Sequence, residues 1–150
     1  MVIRKATLDD IKIVQNLNYE LYQLEQKCYD KHLSDNWSLS EKGRKFFEAA
    51  IKNKLVYVAV VDLEVVGYIH FDIINMTYYD FDIGEICDIC VSEKFRRKGI
   101  GKLLCEAVFE DCKKRDINHF SVTASFKNES AISFYKKLGF ENLNLTLVKF

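Results

Sequence analysis

A basic turn that contains two glycines is the part of this sequence best suited to chemistry. An apolar run ends at Val91, and a helical pattern begins soon after it. Between them stand Arg96, Arg97, Lys98, Gly99, Ile100, Gly101 and Lys102. Glycines let a backbone approach a bulky ligand, and the free N–H groups and dipole of a helix N-terminus attract an anion. The turn therefore predicts a binding site for a pyrophosphate group.

Two familiar nucleotide-binding motifs do not fit this turn. A P-loop needs Gly-x-x-x-x-Gly-Lys followed by Ser or Thr, but Arg96 stands where the first glycine belongs and Leu103 follows Lys102. A dinucleotide-binding fold needs Gly-x-Gly-x-x-Gly early in a βαβ unit, but Leu104 replaces the third glycine. An enzyme that binds ATP or NAD at this turn is therefore disfavoured.

The turn and a second block downstream resemble the two cofactor-binding blocks of the Gcn5-related N-acetyltransferase (GNAT) superfamily. Arg96-x-x-Gly99-x-Gly101 matches the pattern Arg/Gln-x-x-Gly-x-Gly/Ala. Residues 128–140 match Asn-x-x-Ala-x-x-Phe-Tyr-x-x-x-Gly-Phe. The blocks come in the family's order, one helix and one strand apart. The likeness covers residues 83–142 and is only architectural before them.

The resemblance implies an acetyl-CoA-dependent N-acetyltransferase that uses no metal. It implies direct attack of an amine on acetyl-CoA in a ternary complex, since no cysteine is clearly placed to carry a covalent acyl group. The alternative is a non-catalytic module of the same fold that senses acyl-CoA. The implied CoA-binding residues are Ile89, Cys90, Val91, Arg96, Arg97, Lys98, Gly99, Ile100, Gly101, Lys102, Asn128, Ala131 and Tyr135.

The resemblance also implies two catalytic residues. Glu85 begins the strand that leads to the turn, and it would accept the proton of the amine; the other interpretation is a solvated carboxylate or a substrate anchor. Asp88 is its rival, because the strand's pleat or a bulge decides which carboxylate faces the cleft. Tyr135 would protonate or hydrogen-bond the departing thiolate, although its spacing beside Phe134 also suits simple packing. Asn128, which precedes a helix, also suits an N-cap.

The acceptor is predicted to be the amine of a small molecule or a peptide. Residues 28–40 and 76–82 should flank the cleft, and they combine aromatic side chains with carboxylates. That combination suits a cationic amine through cation–π contact and charge pairing, or an ordinary solvated loop. The chain ends one strand after Gly139, whereas many family members add another strand beside the acceptor. The site is therefore predicted to be open or to be completed in a homodimer.

Composition bounds the remaining possibilities. A chain of 150 residues with 49% hydrophobic residues predicts a single domain, residues 1–150. Its 22 basic and 22 acidic side chains give no overall field for nucleic acid or a membrane. No apolar run approaches the ~18 residues of a membrane span, and the N-terminus lacks a signal-peptide pattern. We therefore expect a cytoplasmic protein with neither kind of partner.

The cysteines and histidines do not form a metal-binding pattern. The five cysteines are scattered, which suits reduced thiols. Cys87 and Cys90 are three residues apart in a strand, so a regular pleat would place them on opposite faces. The three histidines, at positions 32, 70 and 119, are isolated in the sequence. We therefore expect no metal.

Hydrophobic periodicity predicts the element order βααβββαβαβ, in the mixed α/β class. Early hairpins give antiparallel strands, and the later strand–helix–strand units give parallel neighbours. We therefore expect a twisted mixed sheet with helices on both faces, the acyl-CoA N-acyltransferase (GNAT) fold that the resemblance also implies. The last predicted strand spans residues 140–150, where Leu143, Leu145 and Leu147 alternate with other residues.

Overall fold

The computed structural model describes residues 1–34 and 36–150, so Asp35 lies outside the described residues. Five strands are formed: β1 (Val2–Lys5), β2 (Val56–Val61), β3 (Glu64–Asn75), β4 (Asp82–Val91) and β5 (His119–Val122). Four α-helices accompany them: α1 (Ile11–Cys28), α2 (Glu41–Lys52), α3 (Ile100–Lys113) and α4 (Glu129–Lys137). Single 3₁₀ turns span Leu8–Asp10 and Glu93–Phe95.

The strands form one mixed sheet in the order β1-β2-β3-β4-β5. The first three pairs are antiparallel, and β4 and β5 are parallel. One apolar core, with Phe71, Ile86 and Leu104, packs α3 on one face of the sheet. A second core, with Phe47 and Tyr68, packs α1 and α2 on the other face. The predicted mixed sheet with helices on both faces is confirmed.

The ends of the later helices follow the local sequence signals. The Ser40 hydroxyl accepts a hydrogen bond from the N–H of Gly43, 3.2 Å away, and caps α2. Gly139 has φ +94°, the left-handed conformation that ends a helix with a glycine, and it ends α4 as predicted. None of the helices in the described ranges is long and apolar enough to cross a membrane.

A β-bulge in β4 overturns one prediction about its side chains. His70 of β3 pairs with Asp88, but the next residue, Phe71, pairs with Ile86, so Cys87 is left over. The extra residue shifts the alternation of the strand by one position. The expectation that Cys87 and Cys90 face opposite sides of the sheet is therefore wrong. Both thiols are free.

The final predicted strand is not formed, and the observed order is βααβββαβα. Within the described residues, 141–150 make no backbone hydrogen bond and run along no strand edge. Alternating leucines favour a strand, but a strand also needs a partner whose N–H and C=O groups it can bind. The segment ends instead with the Phe150 ring stacked on His32, with 3.9 Å between the ring centroids.

Candidate active site

The strands β4 and β5 part in the middle of the sheet. Their parallel pairing runs from Ile83 with His119 to Ile86 with Val122, where β5 ends. Strand β4 continues to Val91, paired with β3 along its other edge. In the described part of the chain, the β5-side edge of β4 beyond Ile86 therefore has no partner strand. This free edge, which includes the predicted residues at 89–91, can bind an extended ligand through its backbone.

The turn before α3 forms a cluster of free backbone donors. Arg97 has φ +60° and Gly99 has φ +81°, so the chain twice adopts the left-handed conformation just before Ile100 begins the helix. Across the described residues, the N–H groups of 97–102 bond no backbone acceptor, and the first to do so is Leu103, which donates to the Gly99 carbonyl. Donors that converge on a helix N-terminus form an anion site. All the predicted turn residues take part in this cluster or flank it.

The basic side chains of the turn are directed to different partners. Arg96 donates from Nε to the Val91 carbonyl, at 2.8 Å, and so ties the turn to the end of β4. The Lys98 ammonium lies 5.1 Å from the centre of the Phe95 ring. Lys102 forms an ion pair of 3.6 Å with a glutamate one turn along α3. The backbone N–H groups, more than these side chains, are therefore free to bind an anion.

A cleft of about 710 Å³ separates this turn from α1. Its walls include Glu20, Leu24 and Lys27 of α1 and, across from them, Ser92 and Arg96. The α1 wall could not be predicted from the sequence, because helical periodicity separates buried from exposed faces but does not show which element lies opposite an exposed face.

Tyr135 projects from α4 into the apolar core and is only 8% exposed. Its ring contacts the rings of Phe134 and Phe140, at centroid distances of 5.1 and 5.6 Å. Burial raises the pKa of its hydroxyl, and neighbouring acidic groups, including Cys105 and Asp88, raise it further. The hydroxyl therefore stays protonated at neutral pH and is able to donate a hydrogen bond.

Asn128 is the N-cap of α4. Its side-chain oxygen accepts a hydrogen bond from the N–H of Ala131, at 3.0 Å. Burial raises the pKa of Glu25, near the end of α1, while the Asn128 amide opposes that rise. Asn128 therefore both starts α4 and lies near Glu25 of α1.

The carboxylates of Glu85 and Asp88 lie on one face of the sheet. Glu85 pairs with Asp72 and Asp88 with His70, two β3 residues that share a face. Burial, followed by the charges of Glu85 and Asp88, raises the pKa of the Cys87 thiol between them to about 12. His70 has one acidic neighbour that its isolation in the sequence does not reveal, because its Nδ1 lies 3.7 Å from the Asp88 carboxylate. Only the strand register reveals this pair.

The predicted acceptor segments divide into two environments. Trp37, in the first segment, packs against Tyr22 and Phe47, at centroid distances of 5.9 and 6.0 Å, and so belongs to the core between α1 and α2. In the second segment, Phe81 stacks on His119 at 3.7 Å, beside exposed tyrosines at the start of β4. Asp35, within the first segment, lies outside the described residues.

These features agree with what comparison with known proteins finds. The model of the acetyltransferase (GNAT) family matches residues 18–140. The chain belongs to this family, and the predicted superfamily and fold are confirmed.

Two relatives of this chain are named as N-acetyltransferases. An N-alpha-acetyltransferase of Saccharolobus solfataricus is 31% identical over 151 residues, which is 95% of this chain and 81% of the relative. An uncharacterized N-acetyltransferase of Methanocaldococcus jannaschii is 30% identical over 144 residues. That match covers 93% of this chain but spans only 60% of the length of the relative.

A solved structure shows the same fold at lower sequence identity. The PaiA N-acetyltransferase of Thermoplasma acidophilum, in complex with coenzyme A, superposes with a TM-score of 0.80 at 21% identity. The superposition covers 97% of this chain and 92% of the other.

Proposed function

We propose that this protein is an acetyl-CoA-dependent N-acetyltransferase that transfers an acetyl group to a primary amine by direct attack in a ternary complex. The observation that carries the proposal is the alignment of two unpartnered backbone surfaces. In the described structure, the edge of β4 at residues 87–91 has no partner strand, its Val91 carbonyl bonds Arg96, and it leads to the free N–H groups of residues 97–102. A long ligand with a polar arm and a pyrophosphate matches both surfaces, and acetyl-CoA is such a ligand.

In the proposed complex, backbone groups at 89–91 bind the pantetheine arm and those at 97–102 bind the pyrophosphate. Arg96 positions the turn through its bond to Val91, and Asn128 and Ala131 start the helix that carries Tyr135. The PaiA structure, which holds coenzyme A on the same fold, supports this assignment.

The proposed chemistry is the exchange of a C–S bond for a C–N bond. An acceptor ammonium loses one proton to Glu85, and the amine nitrogen then attacks the thioester carbon. The C–S bond breaks, and the second nitrogen proton passes to the departing sulfur through solvent or Tyr135. The hydroxyl of Tyr135 hydrogen-bonds the developing thiolate, for which it must remain protonated. Glu85 then releases its proton to water.

The acceptor class follows from the charges on the same face as Glu85. Two further carboxylates, Asp72 and Asp88, flank the Cys87 thiol and contribute to its raised pKa. A cationic amine suits such a surface, because opposite charges within about 4 Å attract strongly where water is partly excluded. The S. solfataricus relative, an N-alpha-acetyltransferase, adds one specific class of acceptor, an α-amine.

We also propose that a second copy of the chain completes the sheet. Leu143, Leu145 and Leu147 alternate along residues 141–150 and are 70–85% exposed. Among the described residues, β5 is the last strand of the sheet, so its edge away from β4 has no partner strand. Exposed apolar segments and unpaired sheet edges tend to bind another protein chain. Pairing this segment with β5 of a second copy would bury the exposed leucines and give the edge of β5 a hydrogen-bonding partner.

The transfer reaction is tested by incubating the protein with acetyl-CoA and a set of primary amines and short peptides, with product masses read by mass spectrometry. We expect one class of acceptor to gain an acetyl group on nitrogen, and only when the protein is present. Calorimetry with CoA, ATP and NAD tests the cofactor separately, and only CoA should bind. Binding of CoA with no transfer to any amine would contradict catalysis and favour the acyl-CoA sensor.

A further inference from the structure

One buried nitrogen of this protein has no hydrogen-bond partner. This atom is Nδ1 of His70. Among the described residues, no other buried side-chain nitrogen or oxygen lacks a hydrogen-bond partner. His70 is only 5% exposed, and the rings of Phe46 and Phe47 meet its ring edge to face at centroid distances of 5.3 and 6.3 Å. A buried polar atom without a partner costs about 1–3 kcal/mol. Such an atom in a folded protein needs an explanation.

The unbonded nitrogen faces the carboxylate of Asp88. The two residues are cross-strand partners on β3 and β4, and 3.7 Å separates Nδ1 from Oδ2. The Asp88 side chain is 14% exposed, so part of it remains open to a ligand. A shortening of roughly 0.7 Å would give an ordinary N–H···O hydrogen bond. His70 is therefore poised to donate to Asp88.

Asp88 lies where three elements meet. Tyr22 on α1, Tyr68 on β3 and Tyr135 on α4 all have a raised pKa; burial is the main cause for each, and the charge of Asp88 adds to it. The charge of Asp88 therefore acts on tyrosines of three different elements, α1, β3 and α4.

We propose that His70 is a positioning residue that orients Asp88 to bind the ammonium group of the acceptor, beside the base Glu85. The inference rests on the proposed function and names the substrate class of the same site, a cationic amine. Two features of the structure support it: the His70–Asp88 pair, and the bulge that places Asp88 on the same face as Glu85.

The two carboxylates suit different tasks. In the described structure no side chain hydrogen-bonds the carboxylate of Glu85, which is half-buried and free to pass a proton to water. Asp88, in contrast, has a buried neighbour in His70. A fixed carboxylate binds a cation with little loss of side-chain entropy. Asp88 therefore holds the ammonium while Glu85 takes one of its protons.

The kinetic test uses the acceptor that the wild-type protein acetylates best. Asp88→Asn should raise KM for that acceptor by roughly 10- to 100-fold, the usual worth of a charged hydrogen bond, with a smaller change in kcat. The control is Glu64→Gln, which removes an exposed carboxylate at the far end of β3 and leaves the pair intact, and it should change KM less than about 3-fold. Equal effects of the two variants would overturn the proposal.

A second pair of variants isolates the role of His70. His70→Phe keeps an aromatic ring against Phe46 and Phe47 but removes the donor, whereas His70→Asn places an amide nitrogen near the position of Nδ1. The first should raise KM for the acceptor by about 3- to 10-fold, and the second should restore it toward the wild-type value. Equal KM values for the two variants, with CoA affinity intact in both, would overturn the positioning role.

A nitrogen-15 NMR measurement tests the pair without any acceptor. The proposal expects the neutral His70 ring to carry its proton on Nδ1 and the Nδ1 resonance to shift in Asp88→Asn. A proton on Nε2, with no shift in the variant, would overturn it. If the wild-type protein acetylates no amine, the proposed function itself is wrong. The inference fails on its own when transfer occurs but Asp88→Asn leaves KM unchanged.

Discussion

Glu85 and Asp88 project from the same face of β4, although three residues of a regular strand would place them on opposite faces. The bulge at Cys87 causes this, because it leaves Asp88 opposite His70 and Glu85 opposite Asp72. Two carboxylates can consequently reach one amine from one side of the sheet. Bulges re-aim side chains near functional sites, and here the bulge lies just beyond the last β4–β5 pair.

The first prediction concerns the backbone of the pyrophosphate turn. Gly99→Ala should cost about 1 kcal/mol of folding stability, because φ +81° is unfavourable for a residue with a Cβ. It should also weaken CoA binding, since the free N–H groups depend on that conformation. Gly139→Ala is the matched control, because Gly139 also has a positive φ and open space around its missing Cβ. Calorimetry should show weaker CoA binding only for Gly99→Ala; equal CoA affinities would contradict the site.

The second prediction separates binding from catalysis at Tyr135. Tyr135→Phe keeps the ring contacts with Phe134 and Phe140 and removes only the hydroxyl. CoA affinity should stay within a factor of about 2, while kcat should fall by roughly 100-fold, the usual worth of a positioned proton donor. Titration calorimetry and steady-state kinetics measure the two quantities. Parallel losses in both would show that the hydroxyl binds the cofactor and does not assist the leaving group.

The third prediction is a loss of stability in alkali. Burial raises the pKa of Cys90 and Cys105 to about 12, whereas a thiol in an unfolded chain ionises near about 8.5. Above that pH the unfolded chain loses protons that the folded chain keeps, so the free energy of unfolding falls as pH rises. The slope should approach about 1.4 kcal/mol per pH unit for each such thiol.

Urea unfolding between pH 8 and 10 measures this slope. Cys105→Ala should make the slope shallower, while Val108→Ala, which removes buried volume on the same helix without a titrating group, should only lower stability at every pH. An unchanged slope in Cys105→Ala would show that this thiol does not contribute.

The fourth prediction concerns the proposed dimer. Leu145→Asp places a charge on the apolar side of residues 141–150 and should give a monomer in size-exclusion chromatography with light scattering. Thr146→Asp changes the adjacent residue, on the other side of an extended segment, and should leave a dimer. A wild-type protein that stays monomeric at high micromolar concentration would remove the dimer proposal and leave the transfer reaction untouched.

The fold and the position of the glycine turn before α3 could be predicted from the sequence, because both depend on local signals. Helical periodicity and caps such as Asn128 mark the helices, and Gly99 marks the left-handed residue before α3. The roles of Glu85 and Tyr135 remain predictions, because a residue's function depends on what it meets in the bound complex.

The features that the sequence analysis missed depend on long-range pairing. The bulge at Cys87 and the His70–Asp88 pair follow from the register between β3 and β4, which no local pattern fixes. The prediction of a final strand is wrong for the same reason. The alternation of Leu143, Leu145 and Leu147 is typical of a strand, but it does not provide a neighbouring strand to pair with.

The most direct test of the central claim measures free thiol released from acetyl-CoA against acetylated amine formed, for the wild-type protein and Glu85→Gln. We expect one thiol per acetylated amine with one class of acceptor, and a fall in kcat of roughly 100-fold or more in the variant at unchanged CoA affinity. Thiol release that does not depend on any amine, or that is the same in Glu85→Gln, would contradict the proposed transfer reaction and the role of Glu85 in it.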